Sequence, residues 1–455
     1  MWESGSERRN VVFLVLDSLR KDRVSPYNED IDFTENLEEI ADSSVVFEDA
    51  ITQAPWTLPS HASIFTGEYP WNHGTTHARS YFPSDESTFV SEFSEAGYTT
   101  AAITPNVWIT PHKGMTRDFE YVENFLGKAD SRLSVTLSRL GTKAYHSLDD
   151  VTRRVLGRQI DRLFRLFDVD DSCKSEETIR EVERYIDRRS PDEDFFLYVN
   201  LMEPHEPYRP PQKYKKRHGV DEDANIPHRQ KDVFTEEIDF DALRSVYDAS
   251  VEYTDDLVGR IVESLRRNDL DDDTVVFVLS DHGQALGDGG GFGHQFTVSE
   301  SVINTVLMVD HPDLPSGRED RTFELRNLSR LVPHYAGIAP HPDGVFSDVA
   351  KGGLEFPENF TGYIPKDRWN EYYRKYRYAK SDSEKVVKSV GEDGETRYEA
   401  YDLETGEEIR VPSDLADELK GTDIDVDVSE DSESDGDEPE TDEAVERRLE
   451  SLGYN

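Results

Sequence analysis

The chain has 455 residues with 51 Lys plus Arg against 96 Asp plus Glu, a net charge of −45. That length excludes a mini-protein and suits one large α/β domain with an appendage; 22 Phe, 21 Tyr and 5 Trp supply a sizeable core and exclude global disorder although only 35% of residues are apolar. The charge repels phosphate backbones and anionic lipid, which excludes a general nucleic-acid binder, and its spread along the sequence fits the surface of a halophilic archaeal protein from a high-salt cytoplasm.

In chain order, the polar stretch Met1 to Asn10 leads into Val11 to Leu16, an apolar run too short for a signal-peptide core or a membrane span. The sequence therefore predicts a cytoplasmic chain without a transmembrane segment. The single cysteine, Cys173, excludes an internal disulfide and a multi-cysteine metal cluster. Strand-like runs recur at Val11 to Leu16, Val45 to Glu48, Thr99 to Thr104, Phe195 to Asn200, Thr274 to Ser280 and Asn304 to Val309. Helix-like segments at Leu58 to Phe65, Thr88 to Ala96, Glu176 to Arg188 and Phe240 to Arg266 lie between them. This alternation predicts a doubly wound, mostly parallel sheet with helices on both faces, and such sheets place ligands at the carboxyl ends of their strands.

Residues 1–359 are expected to form the catalytic domain, with an Arg-rich amphipathic helical insertion at about 130–170 that either covers the sheet or acts as a lid over an anionic or lipid-linked substrate. Residues 360–420, with strand-like Tyr372 to Ala379, Lys385 to Val390 and Thr396 to Leu403, predict a small antiparallel C-terminal subdomain. Residues 421–443 read as a solvated acidic linker, because 12 of the 21 residues from Asp423 to Glu443 are acidic and none is basic. Residues 444–455 are expected to hold one terminal helix.

The strand ends carry the polar residues. Asp17 follows the first strand, Asn106 lies just past the third, and Asp281 and His282 follow the fifth in Ser280-Asp281-His282-Gly283. A carboxylate beyond a buried strand either binds a cation or caps the next helix; an adjacent Asp and His with a following Gly offer two ligand types in one tight turn. In Pro55-Trp56-Thr57-Leu58-Pro59-Ser60-His61, with Thr66-Gly67 beyond, Pro59 suits a first helical turn and Gly67 a helix end. Thr57 is then expected at a helix amino end, either as an ordinary cap or facing a bound anion.

Together these segments resemble the sulfatase family of the alkaline phosphatase superfamily. Asn10 to Asp17 is similar to its first metal-binding strand, Thr57-Leu58-Pro59-Ser60-His61 with Thr66-Gly67 to its nucleophile signature, Glu203-Pro204-His205-Glu206-Pro207-Tyr208 to its His-containing loop, and Ser280 to Gly283 to its second metal motif. The resemblance implies an alkaline-phosphatase-like fold and an ester hydrolase or transferase. It further implies one divalent cation held by Asp17, Thr57, Asp281 and His282, which requires Asp17 and Asp281 within roughly 8 Å of each other. Mn²⁺ is preferred for this mixed oxygen and nitrogen set, with Ca²⁺, Mg²⁺ or Zn²⁺ as alternatives. His205 and His294 would bind substrate oxygens or protonate the leaving group, and His61, Asn106 and Lys113 would contact the oxyanion.

The sequence departs from the family pattern in ways that bear on the reaction. Thr57 stands where members carry the Cys or Ser that becomes formylglycine, an aldehyde Thr cannot yield; Ser18 replaces a second ligand Asp, His61 replaces an Arg, and a Lys-x-His motif is missing near Asn106. A Thr ester of sulfate must be broken by water at sulfur, so a Thr nucleophile matches phosphoryl transfer better. The expected substrate is an anionic phosphate or sulfate ester. Sulfate ester hydrolysis by unmodified Thr and a non-catalytic ligand-binding role are the alternatives.

Overall fold

The computed structural model describes residues 7–83, 86–125, 174–190, 193–221, 226, 234, 238–288 and 291–422. The expected helical insertion, the acidic linker beyond Thr422, the terminal helix and Cys173 lie outside the described residues.

An eight-stranded sheet forms the centre. Its strands are β1 (Asn10–Leu16), β2 (Ser44–Phe47), β3 (Thr99–Thr104), β4 (Tyr121–Asn124), β5 (Phe195–Leu201), β6 (Thr274–Leu279), β7 (Leu307–Asp310) and β8 (Gly317–Glu319), in the spatial order β8-β2-β7-β6-β1-β5-β3-β4. Only β7 runs against the others, pairing antiparallel with β2 and β6. Strand β1 lies between β6 and β5 and is parallel to both, with Val15 opposite Leu279 and Leu16 opposite Leu201. A strand buried on both faces needs apolar side chains at every position, which is why β1 and β6 read as unbroken apolar runs.

The two faces sort by residue parity. Val11, Phe13 and Val15 of β1 pack toward the helices Thr57–Thr66, Phe89–Glu95 and Leu328–Tyr335. Val12, Leu14 and Leu16 pack toward Glu35–Ser43, Ser175–Asp187 and Phe240–Arg267. Helices therefore cover both faces, as expected for the doubly wound α/β class. Among the described residues no helix is long and apolar enough to cross a membrane.

The expected strand Asn304 to Val309 divides in two. Asn304–Thr305 pairs with Ala50–Ile51 in a separate small sheet, and Leu307–Asp310 joins the main sheet. Between them the Val306 carbonyl accepts from the Ser280 backbone N–H at 3.1 Å, and the Ser280 hydroxyl accepts from the Val306 N–H at 3.0 Å. Val306 thus bends the chain beside the turn that carries Asp281.

Strands β9 (Ala350–Leu354), β10 (Arg374–Lys380), β11 (Glu384–Gly391) and β12 (Thr396–Asp402) form an antiparallel sheet in sequential order. Its first strand precedes residue 360, so the small sheet draws on chain assigned by sequence to the larger domain. Ala379, Val386, Ala400, Leu415 and Leu419 give it a core of its own. Its other face joins the main body: Tyr378 donates to the Thr52 carbonyl, and Lys380 and Lys385 pair with Asp49 and Glu300 at 2.6 and 2.8 Å.

The Thr57–Thr66 helix ends at Gly67, which has φ 81° and donates its N–H to the Ser63 carbonyl at 2.9 Å. A Cβ there would come within 2.6 Å of the Ser329 hydroxyl. Gly67→Ala is therefore expected to destabilise the fold by about 1 to 3 kcal/mol, through left-handed strain and this clash. Urea denaturation of the two proteins in molar salt checks this; an unchanged midpoint would show that the Ser329 contact gives way freely.

Candidate active site

Four polar positions meet at the carboxyl ends of β1 and β6. Asp17 directly follows β1, and Asp281 and His282 follow β6 after Ser280. Thr57 is the first residue of its helix; Trp56 occupies the capping position and no side chain caps the end. One ligand atom each from Asp17, Asp281 and His282 lie within 4.8 Å of one another, all buried. The Thr57 hydroxyl sits 3.5 Å from Asp17 Oδ2. The structure thus brings together the four residues read from sequence as one set.

Local backbone geometry holds the cluster open toward its centre. Ser18 is left-handed, with φ 61°; its N–H donates to Asp281 Oδ1 at 3.2 Å and its hydroxyl to Asp17 Oδ1 at 3.1 Å. The Tyr247 hydroxyl fixes this turn, donating to the Ser18 carbonyl at 2.8 Å and accepting from the Arg20 N–H at 2.7 Å. Asp281 Oδ1 also accepts from the His282 N–H at 3.0 Å. Gly283 permits the close approach of the next segment, because a Cβ there would lie 2.1 Å from the Ser301 carbonyl oxygen.

Two atoms in the middle are left over. Asp281 Oδ2 and His282 Nε2 are buried and form no hydrogen bond, although they stand 3.5 Å apart. Burial raises the Asp281 carboxyl to about 7; burial and then the neighbouring Asp281 charge raise Asp17 to about 6. Burial also lowers His282 to about 4, and its Nδ1–H donates to the Gly283 carbonyl at 2.8 Å, so Nε2 is the lone-pair nitrogen. Two carboxylates that resist ionisation, facing an unprotonated imidazole nitrogen with no donor supplied by the protein, fit a divalent cation in the gap.

The other sequence-predicted residues take different places. Asn106 donates to Asp17 Oδ2 at 2.7 Å and accepts from the Trp108 N–H at 2.8 Å, so it buttresses a carboxylate. His61 is fully buried: Nδ1–H donates to the Thr57 carbonyl at 2.8 Å, the other ring nitrogen meets the Tyr198 hydroxyl at 2.8 Å, and Asp281 Oδ2 lies 3.6 Å from Nδ1. It supports the Thr57 helix and the site from beneath. The ammonium of Lys113 lies over the Trp108 ring, 5.1 Å from its centroid, and Trp108 packs edge-on against Trp56 beside Thr57. Ser60 turns away to the Asp281 carbonyl, at 2.8 Å.

His205 and His294 stand beside this cluster. The His294 ring centroid is 4.4 Å from that of His282 and 5.2 Å from that of His205. Burial and then the His282 and His205 charges hold His294 well below the usual imidazole range. For His205, burial acts downward, but the Glu206 and Asp17 carboxylates outweigh it and raise the ring. Sequence reasoning missed Glu206 and Gln284 as functional groups: Gln284 donates to Glu206 Oε2 at 2.7 Å and the Tyr208 hydroxyl at 2.9 Å, and its oxygen faces His294 Nδ1 at 2.7 Å. Both lie inside or directly after the quoted motifs, the only sequence signal that marked them.

A doubly wound sheet with a carboxylate, imidazole and hydroxyl cluster at its central strand ends defines an ester hydrolase of the alkaline phosphatase superfamily. The chain belongs to the sulfatase family, whose model matches residues 9–333. It is 26% identical to an arylsulfatase of Clostridium perfringens over 74% of this chain and 76% of that protein, and 23% identical to a choline-sulfatase of Rhizobium meliloti over 83% and 79%. In fold it is similar to the phosphonate monoester hydrolase of Silicibacter pomeroyi, with a TM-score of 0.64 at 17% identity over 87% of this chain and 89% of that one.

Proposed function

We propose that the chain is a metal-dependent hydrolase or transferase of phosphate-type esters with Thr57 as its nucleophile. The observation that carries this reading is the Thr57 hydroxyl at the helix amino end, 3.5 Å from Asp17 and beside the two unpartnered atoms of Asp281 and His282. Asp17, Thr57, Asp281 and His282 would hold a divalent cation, Mn²⁺ first among the candidates because two carboxylates, a hydroxyl and an imidazole make a mixed set. Such a cation supplies Lewis-acid polarisation of a non-bridging ester oxygen and favours loss of the Thr57 proton.

The protein's own groups do the rest. Ser18 and Asn106 fix the Asp17 carboxylate, and the helix directs Thr57 Oγ1 from a fixed backbone, so the nucleophile is pre-aligned. The Thr57 oxygen bonds to phosphorus as the bond from phosphorus to the leaving oxygen breaks; the Thr57 proton passes to solvent, the leaving oxygen takes a proton from His205, and water then attacks phosphorus, freeing phosphate and returning a proton to the Thr57 oxygen. His205 and His294, beside His282, serve the substrate oxygens. Lys113, on the Trp108 side, offers a positive charge to an anionic substrate.

A second reading, sulfate ester hydrolysis by the same Thr57, is favoured by the sulfate esterases among the relatives. One experiment separates the two: purification in molar KCl, metal analysis, and parallel assays on aryl phosphate, phosphodiester and aryl sulfate. Faster turnover of phosphorus esters, lost on chelation and restored by Mn²⁺, is the expected result. Preference for aryl sulfate would select the second reading, and full activity after exhaustive chelation would remove the metal from both.

A further inference from the structure

We propose that His77 is a specificity-determining residue, which holds a neutral hydroxyl group on the alcohol portion of the ester. This role rests on the proposed reading of Thr57 as the nucleophile and deepens it by naming what lies beyond the reacting phosphoryl group. His77 is only 4% exposed, and neither of its ring nitrogens forms a hydrogen bond with a described residue. Buried polar atoms in that state are rare in native proteins, because each gives up its hydration without return.

Aromatic packing fixes where the ring lies. It stacks on Trp56, with centroids 4.4 Å and planes 19° apart, and Phe360 meets it edge-on at 6.4 Å. Trp56 directly precedes Thr57, and Gln295, the polar side chain beside the ring, directly follows His294, which itself feels the His77 charge. His77 therefore stands one residue outward from the reacting centre on two separate segments, the helix that begins at Thr57 and the chain that carries His294. With the phosphoryl group at the centre, the remainder of the ester lies next to it on this side. Packing alone does not account for a histidine here: a phenyl ring would stack on Trp56 as well, without burying two polar nitrogens.

The chemistry of the ring selects its ligand. Burial, against the opposing pull of Gln295, lowers His77 to about 3, so the imidazole is neutral and offers one N–H and one lone pair. An anionic oxygen calls for donors alone, whereas a hydroxyl group accepts and donates at once and so satisfies a neutral imidazole. Thr75, two residues earlier, buries a hydroxyl that also forms no hydrogen bond with a described residue, which adds the same neutral chemistry to this segment. The turn that carries His77 is closed on itself: the Thr76 N–H donates to the Arg79 carbonyl at 3.1 Å, and the Arg79 N–H to the Thr76 hydroxyl at 3.2 Å. An ester without a hydroxyl on its alcohol leaves these groups buried and unpaired, and sites built this way discriminate strongly against the analogue that lacks the hydroxyl.

The test compares the phosphate esters of glycerol and of propanol, and the matching pair of sulfate esters, using the full chain loaded with Mn²⁺ in molar KCl. Wild type is expected to prefer the glycerol ester over the propyl ester by roughly 10- to 100-fold in kcat/KM. His77→Phe keeps the stack on Trp56 and removes both nitrogens, and should bring that ratio close to one. His77→Asn and His77→Gln each return an amide in place of one ring nitrogen, and at least one of them should restore part of the preference. Circular dichroism checks that every variant folds. Equal rates on the two esters in the wild type, or an undiminished ratio in His77→Phe, would overturn the assignment and leave a buried water as the partner of the ring. Turnover that is lost in Thr57→Ala but shows no preference for the hydroxyl removes only the role of His77 and leaves Thr57 standing. Turnover of none of the four esters removes the reading of Thr57 and this one with it.

Discussion

Thr57→Ala is expected to lower turnover on the best ester substrate by roughly 10⁴-fold or more while leaving the fold and cation binding largely intact. Thr57 is the first residue of its helix, and its hydroxyl forms no capping bond to the helix backbone. Removing it costs about 1 kcal/mol or less of stability, small for a domain of this size. No neighbouring hydroxyl takes its place. Ser60 is committed to the Asp281 carbonyl at 2.8 Å and to Thr52 at 3.0 Å, and Ser18 donates to Asp17. Thr57→Ser keeps the oxygen and loses only a methyl group, so measurable activity should remain. Single-turnover assays with matched circular dichroism and metal content check both variants. Wild-type rates in the Ala variant would remove the nucleophile assignment and the phosphoryl preference argued from it.

The parts of the fold legible in the sequence are those where burial leaves no freedom. Strands β1 and β6 are enclosed on both faces, so each was written as an unbroken apolar run whose first polar residues, Asp17 and Ser280-Asp281-His282, mark the strand end. Pro59 and Gly67 likewise bracket the helix that begins at Thr57. Edge strands lack that pressure. Tyr121–Asn124 has no buried position and Gly317–Glu319 is three residues with two charges, so neither leaves an apolar signature. The left-handed turn at Ser18 escaped because a serine does not announce a positive φ, and the groups that hold it lie far along the chain, Tyr247 229 residues away and Asp281 263 residues away.

Side-chain roles were less legible than side-chain positions. Asn106 follows a strand end, but its commitment to Asp17 depends on β3 and β1 flanking β5, a matter of sheet order. His61 is four residues after Thr57, one helical turn on, and that spacing lets its Nδ1–H reach back to the Thr57 carbonyl. The partner of its other nitrogen, Tyr198, comes from a different strand. Gln284 shows the same limit: its three partners belong to the Glu203 to Tyr208 loop and to the segment after β6, which only the folded chain brings together.

Asp281→Asn is expected to abolish cation binding at the Asp17, Thr57, Asp281 and His282 cluster and to reduce turnover by roughly 10³-fold or more, yet to stabilise the metal-free protein relative to wild type as pH rises. The sign follows from the raised carboxyl. Asp281 is held at about 7 when folded, chiefly by burial, against an ordinary value of 3.8. Between those values the folded chain keeps a proton that the unfolded chain has shed, so this contribution to stability is full below the unfolded value and is lost as pH rises through about 7. Asp17, raised to about 6, acts in the same direction. Asparagine retains an oxygen able to accept from the Ser18 and His282 N–H groups but cannot ionise, so the variant loses the Asp281 part of this slope. Glu203, raised by burial to about 8, contributes equally to both proteins and cancels in their difference. Added Mn²⁺ at a hundredfold excess over its Kd should stabilise wild type by about 2.7 kcal/mol and leave the variant unmoved. Urea denaturation of chelated and Mn²⁺-loaded proteins at pH 5.5 and 8, in molar KCl, measures all of these terms together. A stability gap between the metal-free proteins that does not change from pH 5.5 to 8 would show that Asp281 is already ionised without the cation, and that the cluster does not depend on a metal for its charge.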